Sequence, residues 1–258
     1  MTLLELRPLS IGEILDQAFG LYRRHFATLA VIVIIVGAVP LVLELYVQAS
    51  GGLLVLPLMW FSTMFLKVVL GAIGTAAAVF VVSESYLGRS ATPGDALSRA
   101  VPYIVRLVLL SILTSLVVFI GFLFFLIPGI IFLVALLVSP QALVLEEDLS
   151  AIEAMGRSWR LTKGHRRKML ALIVVTAILV TIPSLAGVTV AAMFTPDLTM
   201  LSQTDLSLGW YAAMILGTVA QMLLYPLMYS VLTVAYYDLR VRKEGFDLEV
   251  LAQALETP

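Results

Sequence analysis

Lys67 and Glu44 stand where ionisable residues are rarest, Lys67 inside one long apolar stretch and Glu44 near the end of the stretch before it. A charge within a membrane span costs at least about 2.5 to 3.5 kcal/mol even on the lenient insertion scale, so such a residue has to be explained. Two explanations are open. In one, the pair marks a binding or transport site. In the other, the lysine stem snorkels to the outer headgroups with Glu44 as its counter-charge. Four prolines, Pro40, Pro140, Pro183 and Pro226, lie in the same kind of stretch, with Gln141, Gln221 and Tyr225 as polar neighbours. These fit either broken helices that offer carbonyls to an ion, or ordinary kinked and packed membrane helices.

The elements that must position these residues are set by composition. Of 258 residues 61% are hydrophobic, mean hydropathy is +1.05, and the formal charge is −1. These values exclude an ordinary soluble fold and imply a polytopic, all-α membrane protein. The absence of cysteine excludes disulfides and thiolate chemistry. Six stretches approach or exceed the roughly 20 apolar residues that cross a bilayer: Phe26 to Val47, Leu58 to Ser83, Tyr103 to Ile127, Gly129 to Leu145, Met169 to Phe194 and Leu208 to Tyr237. The third and fourth are separated only by Pro128-Gly129, which reads as a tight turn. Small residues at Gly71-Ala-Ile-Gly-Thr-Ala-Ala-Ala78 suit close helix packing. A leader ending near Ala49 has suitable small residues, but the apolar run before it exceeds a signal-peptide core, so retention is expected.

Of the 16 lysines and arginines, 15 fall before the first span, between the second and third, between the fourth and fifth, or after the sixth. The positive-inside rule then puts both termini in the cytoplasm. Each pair of spans follows a short amphipathic segment beginning Ser10-Ile-Gly-Glu13, Thr92-Pro-Gly-Asp95 or Ser150-Ala-Ile-Glu153. The Ser/Glu spacing is that of a capping box. The chain therefore divides into three units, 10–86, 92–147 and 150–238, with a tail over 239–258. The units are either repeats of one design or the alternation common to any polytopic protein.

A second charge pattern lies at the cytoplasmic ends. Even-numbered spans end near acids: Glu84; Glu146, Glu147 and Asp148; and Asp238. Odd-numbered spans begin near bases: Arg23 and Arg24; Arg106; and Arg166, Arg167 and Lys168. Helix dipoles favour the reverse arrangement, so these groups are expected either to form ion pairs joining the hairpins or to face anionic lipid as solvated charges. The run Lys163-Gly-His-Arg-Arg-Lys168 lacks interleaved aromatics and points to lipid headgroups, not nucleic acid. Neither His25 nor His165 has a partner at metal-ligand spacing, so no metal site is expected. No phosphate loop, nucleophile elbow or HExxH occurs. The expectation is a protein with no catalytic role and no cofactor.

Two stretches, Leu6-Arg-Pro-Leu-Ser-Ile-Gly-Glu-Ile-Leu-Asp-Gln-Ala-Phe-Gly-Leu-Tyr-Arg-Arg-His-Phe26 and Tyr236-Tyr-Asp-Leu-Arg-Val-Arg-Lys-Glu-Gly-Phe-Asp-Leu-Glu249, resemble a bacterial family of six-span proteins. That family is related to the membrane domain attached to some glycerophosphoryl diester phosphodiesterases. The resemblance implies a bacterial cytoplasmic membrane and carries no activity, because the catalytic barrel of the fused enzymes has no counterpart here. The expected role is a scaffold or accessory subunit that packs against another membrane protein or itself, or organises lipid; a small-solute permease or channel is the alternative.

Overall fold

A computed structural model describes residues 7–50, 57–89, 91–146, 148–193 and 208–245. Expectations concerning Glu147, Phe194, the connections at 51–56 and 195–207, and the tail beyond Gly245 lie outside the described residues. Every described element is helical: α1 (Ile11–Arg24), α2 (Phe26–Ala49), α3 (Pro57–Tyr86), α4 (Pro93–Ala100), α5 (Ile104–Phe124), α6 (Leu126–Ala135), α7 (Ser139–Leu145), α8 (Ala151–Thr162), α9 (Arg166–Met193) and α10 (Leu208–Glu244). A 3₁₀ turn, Val101–Tyr103, joins α4 to α5.

Among the described residues, five stretches are long and apolar enough to cross a membrane: Phe26–Val47 of α2, α3, the run Pro93–Phe124, the run Leu126–Leu145, and Ile215–Glu244 of α10. Helix α9 covers the expected fifth span up to Met193 with 28 residues, about 42 Å at 1.5 Å per residue.

The bundle is built around α10, which packs against α1, α2, α3, α7, α8 and α9. Its last turns, Val234, Ala235, Tyr236, Tyr237 and Leu239, are buried. Helix α3 meets it with a small-residue surface: Ala72, Ala76, Ala77 and Ala78 are buried and leave little side-chain bulk between the backbones. Near one end of this contact Tyr86 stacks on Tyr237, with ring centroids 5.0 Å apart, and the Tyr237 hydroxyl lies 2.6 Å from Ser83 Oγ.

The three short segments begin as their spacing requires. Ser10 and Ser150 each accept the N–H three residues on, while Glu13 and Glu153 accept the cap N–H, completing two capping boxes. Thr92 accepts the Asp95 N–H but donates its own hydroxyl to the Asp95 carboxylate, a variant of the same closure. Their apolar stripes face the protein. Ile14, Ala18 and Tyr22 of α1, Ala96 and Ala100 of α4, and Ala154, Ser158 and Leu161 of α8 are all buried.

Two sequence expectations need correction. The turn after the third span is not Pro128-Gly129. The chain reverses at Phe125, which is extended (φ −169°, ψ 160°), and Pro128 and Gly129 lie inside α6. Glycine is needed there for proximity: a Cβ on Gly129 would meet the Phe122 ring at 2.4 Å, and one on Gly121 would lie 3.0 Å from Gly129 Cα. The fourth span is not one helix, since it breaks after Ala135 and restarts as α7 with Pro140 in the first turn. Pro40 and Pro226, in contrast, sit inside continuous helices, and α9 likewise runs unbroken through Pro183. One turn before Pro226, where its missing N–H and ring disturb the ladder, the Leu223 carbonyl accepts the Tyr22 hydroxyl at 3.0 Å.

The capping boxes give α1 and α8 a pH dependence. Hydrogen bonds from the Ser10 backbone and side chain, with Arg7 beside it, pull Glu13 from 4.5 down to about 2. Hydrogen bonding to Ser150 lowers Glu153 in the same way. A depressed folded-state value means that the stabilisation is complete above pH 4.5 and disappears as the pH falls toward 2. Hydrogen-exchange protection of the first turn of α1 is expected to drop across that window. The drop should vanish in Glu13→Gln, which has no carboxylate to titrate.

Candidate functional site

A partly open cavity of about 450 Å³ lies between α2, α3 and α10, a volume within the range of small-molecule sites. Helix α2 contributes Val36, Gly37, Pro40 and Glu44; α3 contributes Lys67, Leu70, Gly71 and Gly74; α10 contributes Thr218, Gln221, Met222, Tyr225 and Tyr229. Lys67 Nζ donates to Glu44 Oε2 across 2.6 Å, with side-chain exposures of 36% and 22%. The structure thus brings together the two intramembrane charges, Pro40 and the polar groups Gln221 and Tyr225.

Gln141 does not belong to this group. It is fully buried on α7, and neither its amide nitrogen nor its oxygen meets a hydrogen-bond partner among the described residues.

The cavity has local causes. Glycine at 37 makes room for the Met222 methyl, which would lie 1.8 Å from an added Cβ. Gly71 opens onto free space, with nothing within 4 Å of such a Cβ. The Tyr229 hydroxyl sits 3.0 Å from the Thr75 hydroxyl, which tethers α10 to α3 at this level. Apart from the ion pair and these few polar groups the walls are apolar, so the site combines a paired charge with a greasy enclosure.

A separate charged layer holds the ends of the helices. The Asp238 side chain, 1% exposed, accepts the Leu9 N–H at 2.7 Å, Lys168 Nζ at 2.5 Å and Arg242 Nε at 3.0 Å. Lys168 and Arg242 also donate to the Leu9 carbonyl, each at 2.7 Å. Burial pulls the Lys168 ammonium below its usual value, while its hydrogen bond to Asp238 works in the opposite direction. Burial likewise lowers His165, with Arg242, Lys243 and Lys168 adding to the effect.

Glu146 takes both oxygens to Arg157 Nε, at 2.7 and 2.8 Å, and accepts the Tyr236 hydroxyl at 2.7 Å. Arg157 continues to Glu244, which also bonds Arg240. Glu84 pairs with Arg89 at 2.7 Å and Arg99 at 3.3 Å.

Glu84, Glu146 and Asp238 are therefore paired, but mostly not with the bases that open the odd-numbered spans, and exposed Asp148 joins no ion pair among the described residues. Of those bases only Lys168 joins an ion pair. Arg23, Arg24, Arg106 and Arg167 are exposed and form none among the described residues, and Arg166 lies over the Trp159 ring at 4.2 Å. Sequence reasoning missed Leu9, Arg157, Tyr236, Arg242 and Glu244. Two of these had a signal: Arg242 follows Asp238 at i,i+4, and Arg157 stands three residues after buried Ala154, beside the inner stripe of α8. The backbone of Leu9 had none.

Residues 30–239 match the family described as Domain of unknown function (DUF7847). The chain belongs to this family. No curated protein and no solved structure matches it. The DUF7847 region takes in every residue lining the cavity and both Asp238 and Lys168, whereas α1, Leu9 and Arg242 lie outside it.

Removing one partner of a buried ion pair typically costs about 3 to 5 kcal/mol, and an exposed charge costs within about 0.5. Asp238→Asn is therefore expected to lower the unfolding midpoint in detergent sharply and to free the segment before α1 to protease. Arg23→Gln and Arg106→Gln should leave both readouts near wild type.

Proposed function

We propose that this DUF7847 protein crosses a bacterial cytoplasmic membrane six times with both termini inside. It acts there without catalysis, taking up a small solute or amphiphile in the cavity between α2, α3 and α10. The observation that carries the reading is the Glu44–Lys67 pair in the wall of a 450 Å³ cavity. Two charges that served only to snorkel would gain nothing from an apolar enclosure, whereas a binding site needs a few convergent polar groups within one. Continuous helices on all three sides favour a preformed site. Arg23, Arg24, Arg106 and Arg167, exposed and without an ion pair among the described residues, suit contact with anionic headgroups on the cytoplasmic side.

Gly71 supplies the test, because a side chain there enters the cavity without meeting a neighbour at its Cβ. Gly71→Leu should reduce ligand retention or solute flux in proteoliposomes about tenfold, a change of about 1.4 kcal/mol, with an unchanged unfolding midpoint. Retention and flux equal to wild type would overturn the reading.

A second reading, an accessory subunit packed against another membrane protein, draws on the corner between α5 and α6. Phe119, Phe122, Leu123, Phe124, Phe125, Leu126 and Ile127 are all exposed there, a large contiguous apolar surface of the kind that marks interaction sites. If this is the working surface, Phe122→Ser with Phe125→Ser abolishes a stoichiometric complex seen by native mass spectrometry of gently extracted protein. Gly71→Leu would leave that complex intact.

A further inference from the structure

We propose that the α2–α3–α10 cavity recognises a zwitterionic group, its anion on Lys67 and its ammonium on Glu44, with the apolar remainder of the ligand along the cavity wall. The inference rests on the ligand-binding reading above and deepens it. The argument starts from charge balance. Lys67 and Glu44 neutralise one another across 2.6 Å. An anion that drew Lys67 away would leave the Glu44 carboxylate uncompensated among apolar walls, and a simple cation would do the same to Lys67. Either loss leaves one charge without its partner beside apolar walls. A zwitterion leaves no charge unpaired, because it replaces one internal pair by two intermolecular ones.

The hydrogen-bond capacity of the pair fits that role. An ammonium has three donors, and among the described residues Lys67 directs one hydrogen bond to Glu44. Glu44 receives it on Oε2, which leaves Oε1 as a further acceptor. The pair can therefore engage a ligand's two charges before it separates. Tyr225, 43% exposed, lines the same cavity and brings an aromatic ring of the kind that attracts an ammonium, and the Gln221 amide adds a donor and an acceptor. Val36 and Leu70 supply the wall for an alkyl portion.

The same chemistry is found in the headgroup of a phosphatidylethanolamine lipid and in a water-soluble phosphodiester zwitterion such as glycerophosphoethanolamine. The experiment separates the two. The full-length protein is reconstituted in nanodiscs of phosphatidylglycerol with or without phosphatidylethanolamine, and retained lipid is read by native mass spectrometry. Glycerophosphoethanolamine is titrated in parallel into the phosphatidylglycerol discs. The variants are Lys67→Met, Glu44→Gln, Gly71→Leu and the exchange pair Lys67→Glu with Glu44→Lys.

Selective retention of phosphatidylethanolamine, lost about tenfold in each single variant and regained in the exchanged pair, supports a lipid ligand. The same pattern for glycerophosphoethanolamine alone supports a soluble one. Loss of binding in Lys67→Met and Glu44→Gln with unfolding midpoints near wild type is a loss of recognition and not of folding. Equal retention of both lipids together with no glycerophosphoethanolamine binding, or binding undiminished in Lys67→Met and Glu44→Gln, overturns the zwitterion assignment. If phosphatidylglycerol is held instead and Gly71→Leu releases it, the cavity reading survives without the zwitterion. If Gly71→Leu changes nothing, both fall.

Discussion

A single buried carboxylate governs how this bundle closes. Asp238 lies near the C-terminal end of α10, where a helix dipole is unfavourable to a negative charge, and its side chain is 1% exposed. It is stable there because Lys168 at the start of α9, Arg242 one turn further along α10 and the Leu9 N–H just before α1 all converge on it. The two cations also satisfy the Leu9 carbonyl. One group thus ties the chain's first described segment to its last two long helices. Any arrangement that moved α1 away would expose an incompletely paired charge.

That closure gives the other helices their surroundings. With α1 fixed, Tyr22 donates its hydroxyl to the Leu223 carbonyl one turn before Pro226, a further tie between α1 and α10. Glu146, Arg157 and Glu244 make a second anchor between α8 and α10, reinforced by Tyr236. Between these anchors and the Glu44–Lys67 pair, α2, α3 and α10 stand apart enough to enclose the cavity, and small residues bring α3 and α10 together below it. The bundle is polar and closely hydrogen-bonded at its anchored end and mostly apolar around the Glu44–Lys67 pair.

The same division explains the short helices. A helix with one apolar stripe and one charged face suits a membrane surface, but here the stripes of α1, α4 and α8 are buried against the protein. Their charged faces remain outside. These segments work as braces, which accounts for how they can be capped so similarly at their N-termini and yet differ in length and partners.

Much of this was legible in the chain itself. Hydropathy, the spacing of apolar residues and the N-terminal caps depend on local composition, and they established an all-helical chain with stretches apolar enough for a membrane, three short capped amphipathic helices and an anomalous Lys67. The pairing of Lys67 with Glu44 was also within reach, since both lie near the connection between neighbouring spans. Tertiary structure decided what depends on distance through space: that Gln221 and Tyr225 share a cavity with that pair while Gln141 does not, and that Gly129 serves contact with Phe122 instead of a turn. It also decided that Asp238 selects Lys168, Arg242 and a backbone group at Leu9 from a crowd of nearby bases. Periodicity reports which face of a helix is inward but carries no information about which other helix that face meets, and every functional contact here is between helices distant in sequence or turned toward one another by packing.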